Sequence, residues 1–379
     1  MKRVEKRSLP SASPGTKRAL TILRYGTAGQ RPKAYLQAGL HADEAPGYVV
    51  LHHLIKKLDR AAEQEAITGE IIVVPAANPI GLGQWQNETL QGRFDFANSI
   101  NFNRQHEDLA EAVAEEVGPK LGPDGQENIE AIRSCTTKIL ANDRTAKDEA
   151  SFLKHLLISL SHDADVVLDL HCDLQALMHV YTGTSLWPEA ADLSAQIGAA
   201  VTLLADDSGG TPFDEANSRL WWELGEKFPE QPIPPACLAA TVELRGISDT
   251  DDTIARTDAD NLFSFLQRRG YIAGKAPDLP ALINEATPLT GVDYIKAEVP
   301  GILTYFKKPG DRIVKGEVIA QIINPLPEAE ADRVSEITSV TDGILFSINV
   351  DRFARPGRIV AKVAGETALR EADGNLLTL

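Results

Sequence analysis

The chain has 379 residues, 43% of them hydrophobic and 24% charged, with a formal net charge of −16. That length suits one large domain with a small one beside it, and the composition is ordinary for a soluble globular protein. The acidic balance excludes nucleic acid and anionic membrane as main partners, because both need a basic surface. Cys135, Cys172 and Cys237 show no CxxC spacing. No disulfide framework is therefore expected, and a cytoplasmic location fits. The basic start lacks the apolar core of a secretory signal, and no apolar run is long enough to span a bilayer.

In chain order, residues 1–17 read as a loose arm. Residues 18–25 (RALTILRY) read as a first strand, and Ala34 to Leu40 as a second that runs into His41-Ala42-Asp43-Glu44. Pro46 and Gly47 open a helix, and Glu70 to Pro75 forms a third strand. Strand, helix, strand at this spacing is the βαβ pattern of a largely parallel sheet. Residues 81–104 mix glycines, asparagines and aromatics with Arg93 and Arg104, as expected of a long ordered functional loop. Residues 107–161 are helical in pattern. Asp165 to Leu170 is a buried strand ending at His171, followed by a short strand at 178–181 and a helix at 188–199. A strand at 201–204, a helix at 214–227 and a strand at 239–242 ending at Glu243 follow, and a helix from Arg256 to Arg269 closes the unit at Gly270.

Beyond Pro277 the pattern changes. Gly301-Ile302-Leu303 recurs as Gly343-Ile344-Leu345, and Pro309-Gly310 recurs as Pro356-Gly357. Two echoing β units suggest a small two-fold β sandwich. That half resembles the biotinyl/lipoyl carrier-like barrel in architecture only, since no lysine lies between Lys315 and Lys362 to be acylated. The expected organisation is an arm at 1–17, a hydrolase domain at 18–275, a linker at 276–290 and a β domain at 291–379. The last is read as a cap or assembly module, with sheet edges that suit a homo-oligomer.

Three predicted strands end in His41, with Glu44 just after, His171 and Glu243. Ligands bind beyond the carboxyl ends of strands in open α/β sheets. Two imidazoles and a carboxylate there match the His₂Glu set of a catalytic zinc, with a fourth position left for water. A carboxylate outside the metal set must take the proton, and Glu243 is the candidate general base. His179 is a weaker rival to His171, Cys172 reads as a packed small residue, and Trp221-Trp222 as core or interface.

His41-Ala42-Asp43-Glu44, Asn103-Arg104, Asp169-Leu170-His171 and Val242 to Gly246 together resemble the succinylglutamate desuccinylase/aspartoacylase family, in its predicted-deacylase branch. The resemblance covers about residues 15–275. It implies an α/β, zinc-carboxypeptidase-like mixed sheet flanked by helices, with the small all-β barrel-sandwich-like domain appended. It implies Zn(2+) held by His41, Glu44 and His171, with Glu243 as base. Arg93 would steady the oxyanion, Asn103 and Arg104 would grip a substrate carboxylate, and Asp169 would orient a ligand imidazole. The family pattern often has Asp where this chain has Asn101. The expected activity is hydrolysis of the amide bond of an N-acylated amino acid or similar small carboxylate. The alternatives are a metallocarboxypeptidase acting on peptides and a non-catalytic metal-binding scaffold.

Overall fold

Apolar runs without polar alternation belong to strands buried on both faces. In the computed structural model, which describes residues 1–142, 148–371 and 376–377, they form the middle of a nine-stranded mixed sheet. The strands are β1 (Lys2–Ser8), β2 (Ala19–Tyr25), β3 (Lys33–Ala38), β4 (Glu70–Val74), β5 (Val166–Asp173), β6 (His179–Thr182), β7 (Val201–Leu204), β8 (Leu238–Gly246) and β9 (Thr287–Pro288). Their order across the sheet is β1-β2-β4-β3-β5-β8-β6-β7-β9. Strands β4, β3, β5 and β8 are mutually parallel, and β6 runs antiparallel to β8.

Helices cover both faces. α1 (Pro46–Glu63), α5 (Ala191–Ile197) and α7 (Asp252–Arg268) pack Leu54, Leu193 and Phe265 against Leu36, Leu168 and Val242. On the other face lie α2 (Ala110–Val117), α3 (Gly125–Asn142), α4 (Glu149–Ser161) and α6 (Phe213–Lys227). They pack Val113, Ile132, Leu157 and Trp221 against Tyr35, Val167 and Ala239. Side chains alternate along a strand. The second face therefore also receives Gln37, Asp169, His171, Thr241 and Glu243. Register aligns Gln37, Asp169 and Thr241 in one row, and His171 with Glu243 in the next. α7 starts earlier than its apolar pattern suggests because Asp251 caps it, accepting from Thr253 and Ile254 N–H.

Two segments differ from the sequence reading. Lys2–Ser8 is not a loose arm but an edge strand, paired along its whole length with β2. Its side chains are almost all exposed, so it has no buried stripe to read; the ladder and the Lys2–Asp59 and Glu5–Arg24 ion pairs hold it. A charged edge also discourages further pairing. Within the expected linker, Thr287–Pro288 joins the far edge of the main sheet beside β7.

The C-terminal part contains β10 (Val292–Lys296), β11 (Gly301–Tyr305), β12 (Arg312–Ile313), β13 (Val318–Ile323), β14 (Val334–Thr338), β15 (Gly343–Ile348), β16 (Phe353–Ala354) and β17 (Ile359–Ala364). One sheet runs β10-β17-β15-β12 and the other β14-β13-β11-β16, around Leu303, Ile319, Ile322, Leu345 and Val363. The two echoing Gly-Ile-Leu units lie in β11 and β15, one in each sheet. The short strand Gln175–Ala176 pairs with β15, and Phe346 and Val292 pack on Val201 and Leu203. No helix among the described residues is long and apolar enough to cross a membrane.

Lys362 of β17 forms an ion pair with Asp173 at the end of β5. Burial pushes the Asp173 carboxyl up, but Lys362 and His179 outweigh it and leave it well below its ordinary value. A depressed folded value means that this stabilisation is present above the ordinary carboxylate range and is lost as pH falls towards the depressed one. Lys362→Met at neutral pH is expected to cost about 3–5 kcal/mol, because it strands a buried carboxylate. The urea midpoint measures it, and adding Asp173→Asn should recover most of the loss.

Candidate active site

The site starts at a tight turn. β3 ends at Ala38, the chain passes through Gly39 and Leu40 to His41, and α1 begins at Pro46. Ala77 N–H donates to Ala38 O at 2.8 Å and Asn78 Nδ2 donates to Leu40 O at 2.9 Å, which pins the turn from the end of β4. Glu44 N–H closes onto His41 O at 3.2 Å, so the two side chains leave the turn together. The 81–104 loop then lies flat on this turn. Ala42 N–H donates to Gly92 O at 3.1 Å, and a Cβ on Gly92 would sit 2.2 Å from Asp43 N. Only glycine permits that approach, and it delivers the next residue, Arg93, to the site.

Glu44 is the hub. Its Oε1 lies 2.9 Å from His41 Nδ1 and its Oε2 lies 2.8 Å from His171 Nδ1. Cys172 N–H donates to Oε2 at 3.0 Å, and Arg93 Nη1 donates to Oε1 at 2.9 Å. The far ring nitrogens are also engaged. His41 Nε2 faces Asn101 Oδ1 at 2.7 Å, and His171 Nε2 faces Asp169 Oδ2 at 2.8 Å. Asn103 N–H donates to the same Asn101 Oδ1 at 2.8 Å, which fixes that atom as an acceptor. Asp169 is fully buried and its other oxygen accepts from Gln37 Nε2 at 3.0 Å; Gln37 in turn accepts from Tyr35.

These partners settle the tautomers. Facing acceptors, both Nε2 atoms carry the proton. In rings that stay neutral, both Nδ1 atoms turn lone pairs towards the Glu44 carboxylate. Such acceptors need positive charge among them; without a metal a proton on His171 supplies it, and a divalent cation would satisfy all three. The ligand-capable atoms of His41, Glu44 and His171 all lie within 4.8 Å of one another, so this group could hold a metal ion.

Charge follows this geometry. Burial pushes Glu44 up, but the two imidazoles outweigh it and hold the carboxyl well below its ordinary value. Burial and then Arg93 push His41 down to about 4. Burial opposes protonation of His171 too, but Asp169 and Glu44 prevail and raise it well above its ordinary value. Glu243 is pushed up to about 8 by burial and then by the Glu44 charge, and its Oε2 has no hydrogen-bond partner among the described residues.

His41, Glu44 and His171 open onto one cavity of about 390 Å³. Arg93, Asn103, Arg104 and Glu243 line it together with His41, Glu44 and His171. Asn103 gives its Oδ1 to Phe213 N–H at 2.8 Å, at the start of α6. Arg104 Nη1 donates to Asn103 O at 2.6 Å, and its stem packs on Gly210, where φ is +73° and a Cβ would meet Arg104 Cδ at 2.8 Å. Lys154 of α4 donates to Arg104 O at 2.5 Å, tying the loop to the helical layer.

The rivals lie outside the cluster. Cys172 is buried, with its thiol pushed far up by burial, and touches the site through its backbone. His179 turns Nδ1 to Leu177 O and packs on Phe346. Trp221 is core. Sequence reasoning missed the C-terminal wall of the cavity, where Tyr294, Arg358 and Lys362 stand opposite Tyr181. No local pattern marks those residues, because their neighbours belong to another part of the chain.

The sequence profile of the succinylglutamate desuccinylase/aspartoacylase catalytic domain matches residues 30–227, from just before β3 to the end of α6. The chain is 24% identical over 347 residues to the N-alpha-acetyl-L-2,4-diaminobutyric acid deacetylase of Halomonas elongata, covering 89% of this chain and 83% of that protein. Among solved structures it is similar to a succinylglutamate desuccinylase/aspartoacylase family protein from Shewanella amazonensis. The TM-score is 0.83 and the identity 25%, with 96% of this chain and 98% of that one covered. It shares its fold with the product-bound ectoine utilization protein EutE (DoeB) from Ruegeria pomeroyi, at a TM-score of 0.63 and 18% identity, covering 96% and 95% of the two chains.

Asp169→Asn keeps the shape but removes the charge that fixes the His171 tautomer. If the group holds zinc, the substitution is expected to weaken that binding roughly 10- to 100-fold. Competition titration against a chromophoric chelator measures this, with the wild-type chain alongside.

Proposed function

The chain belongs to the succinylglutamate desuccinylase/aspartoacylase family, and from that premise we propose that it is a zinc-dependent deacylase. Its reaction is hydrolysis of the amide bond of an N-acylated amino acid or a similar small carboxylate. The observation that carries the proposal is the meeting of ligand-capable atoms of His41, Glu44 and His171 within 4.8 Å, with Glu243 beside them on the neighbouring strand. The Halomonas elongata relative, named for deacetylating one such compound, supports the same substrate class.

His41, Glu44 and His171 would hold the ion. A zinc ion there supplies a Lewis acid that acidifies water and polarises an acyl carbonyl. Glu243 removes the proton from the attacking water and returns it to the leaving nitrogen. Its raised pKa suits a group that must both take and give a proton near neutrality, and an added cation would pull that value down again. Arg93, already hydrogen-bonded to Glu44 and half exposed to the cavity, would steady the negative charge that grows on the carbonyl oxygen. Arg104 presents a guanidinium in the same cavity and takes the substrate carboxylate. Asn103 fixes the start of α6 by accepting from Phe213 N–H, and the cost of losing it falls on geometry first.

A cavity of about 390 Å³, closed on one side by the C-terminal sheet, suits a small acyl amino acid better than a peptide chain. This favours the deacylase over the metallocarboxypeptidase. The complete set of donors, each held by its own partner, favours an enzyme over a scaffold.

Glu243→Gln is expected to lower kcat for an N-acetyl amino acid by about 10²- to 10⁴-fold with bound zinc retained. Steady-state amine release and metal analysis on the same sample check this. Full activity with metal retained would remove Glu243 from the role of base.

A further inference from the structure

The proposed deacylase reading gives tasks to the polar side chains of the cavity but not to the apolar ones. Phe94 lines the cavity and is 39% exposed; among the described residues it is the one large hydrophobic residue of the lining that burial leaves open. It is not loosely held. Gln84, itself buried, donates from Nε2 to Phe94 O and to Gln91 O, both at 2.7 Å, and its Oε1 accepts from Phe96 N–H at 2.9 Å. Phe94 also pairs with Asn101 in an antiparallel bridge. Directly paired residues put their side chains on one side of a ribbon, and Asn101 uses that side to meet His41. On the strand side, Leu174 and Ile247 follow the ends of β5 and β8, just beyond His171 and Glu243. Ile247 N–H donates to Leu174 O at 3.0 Å, and both residues line the cavity half-buried.

A lone exposed phenyl ring on a surface needs no explanation, but one clamped at the lining of a cavity does. Covering it with apolar surface is favourable. The substrate can supply that cover. Arg93 directly precedes Phe94 and, on the deacylase reading, steadies the carbonyl oxygen. The acyl chain leaves that same carbonyl carbon. The rest of the substrate is attached through nitrogen and carries its carboxylate to Arg104. The acyl chain is therefore the part nearest Phe94. A cavity of about 390 Å³ also exceeds what an acetyl amino acid fills, since pockets of that size hold drug-sized ligands. The side chains of Phe94, Leu174 and Ile247 offer no partner to a charged chain end.

We propose that Phe94, with Leu174 and Ile247, forms the acyl side of the cavity, so that the preferred acyl group is an apolar chain longer than acetyl. This rests on the deacylase reading of the cavity. It adds a requirement on the acyl group that an acetyl-specific or succinyl-specific hydrolase would not have.

The test compares N-acetyl-, N-hexanoyl- and N-succinyl-L-alanine on the zinc-loaded full chain, by release of alanine. The expected result is a preference for the hexanoyl compound over the acetyl one of roughly 10- to 100-fold in kcat/KM, the size of several buried methylenes. Phe94 is exposed, so its variants should fold. Phe94→Ala should bring the hexanoyl-to-acetyl ratio down towards unity, and Phe94→Leu, still apolar, should keep most of it. Similar efficiency on all three, a preference for acetyl or succinyl, or a parallel loss on every compound in Phe94→Ala overturns the acyl side and leaves the deacylase standing. If none is hydrolysed, calorimetry with the acetyl and hexanoyl compounds decides. Tighter hexanoyl binding that needs Phe94 supports the acyl side although the deacylase reading fails, and equal binding overturns it.

Discussion

The Glu44 carboxylate lies between two imidazoles, offering one oxygen to each Nδ1, and that arrangement holds only with positive charge among the three groups. Each ring has its Nε2 turned to an acceptor, Asn101 on one side and Asp169 on the other. Without an ion that charge is a proton on His171, favoured by Asp169 and Glu44, and a bound ion would take its place. Much of the surrounding structure serves this constraint. Gly92 lets the long loop lie against the turn, Asn78 pins Leu40, and Gln37 restrains Asp169 from the neighbouring strand. Asn101 shows how a neutral residue does this work where the family pattern often has Asp. Its carbonyl takes both the His41 ring N–H and the Asn103 backbone N–H. What it does not supply is negative charge, so His41 is left a weaker base than His171, in keeping with their opposite shifts.

Much of this was legible in the chain because parallel strands buried on both faces are written as apolar runs. β3, β5 and β8 stand out for that reason, and the polar residues at their ends stand out against them. Period-two alternation then places Asp169, His171 and Glu243 on one face, a consequence of strand geometry alone. The three strands also lie side by side, which no local pattern predicts but the βαβ rule favours. Arg93 could be placed near the site by its loop but not aimed at Glu44, since the aim depends on a contact between Gly92 and Ala42.

What could not be read depends on distant pairing. The first strand has almost no buried side chains, so its order comes from backbone bonds to β2 and from ion pairs. The contribution of the C-terminal sheets to the cavity depends on Lys362 meeting Asp173 and on Phe346 packing at the β7 edge. The internal echo in that region predicted its symmetry but not the face it presents. In place, this part does more than cap. It supplies one wall of the cavity, and β5 is tied to it by an ion pair two residues beyond His171.

A single ion joining His41, Glu44 and His171 through the Nδ1 atoms of both rings would be visible by anomalous diffraction at the zinc edge from zinc-soaked crystals. One strong peak is expected, about 2.0–2.2 Å from His41 Nδ1, His171 Nδ1 and a Glu44 oxygen. A peak elsewhere, one bound through an Nε2 atom, or no peak at saturating zinc rules this metal site out.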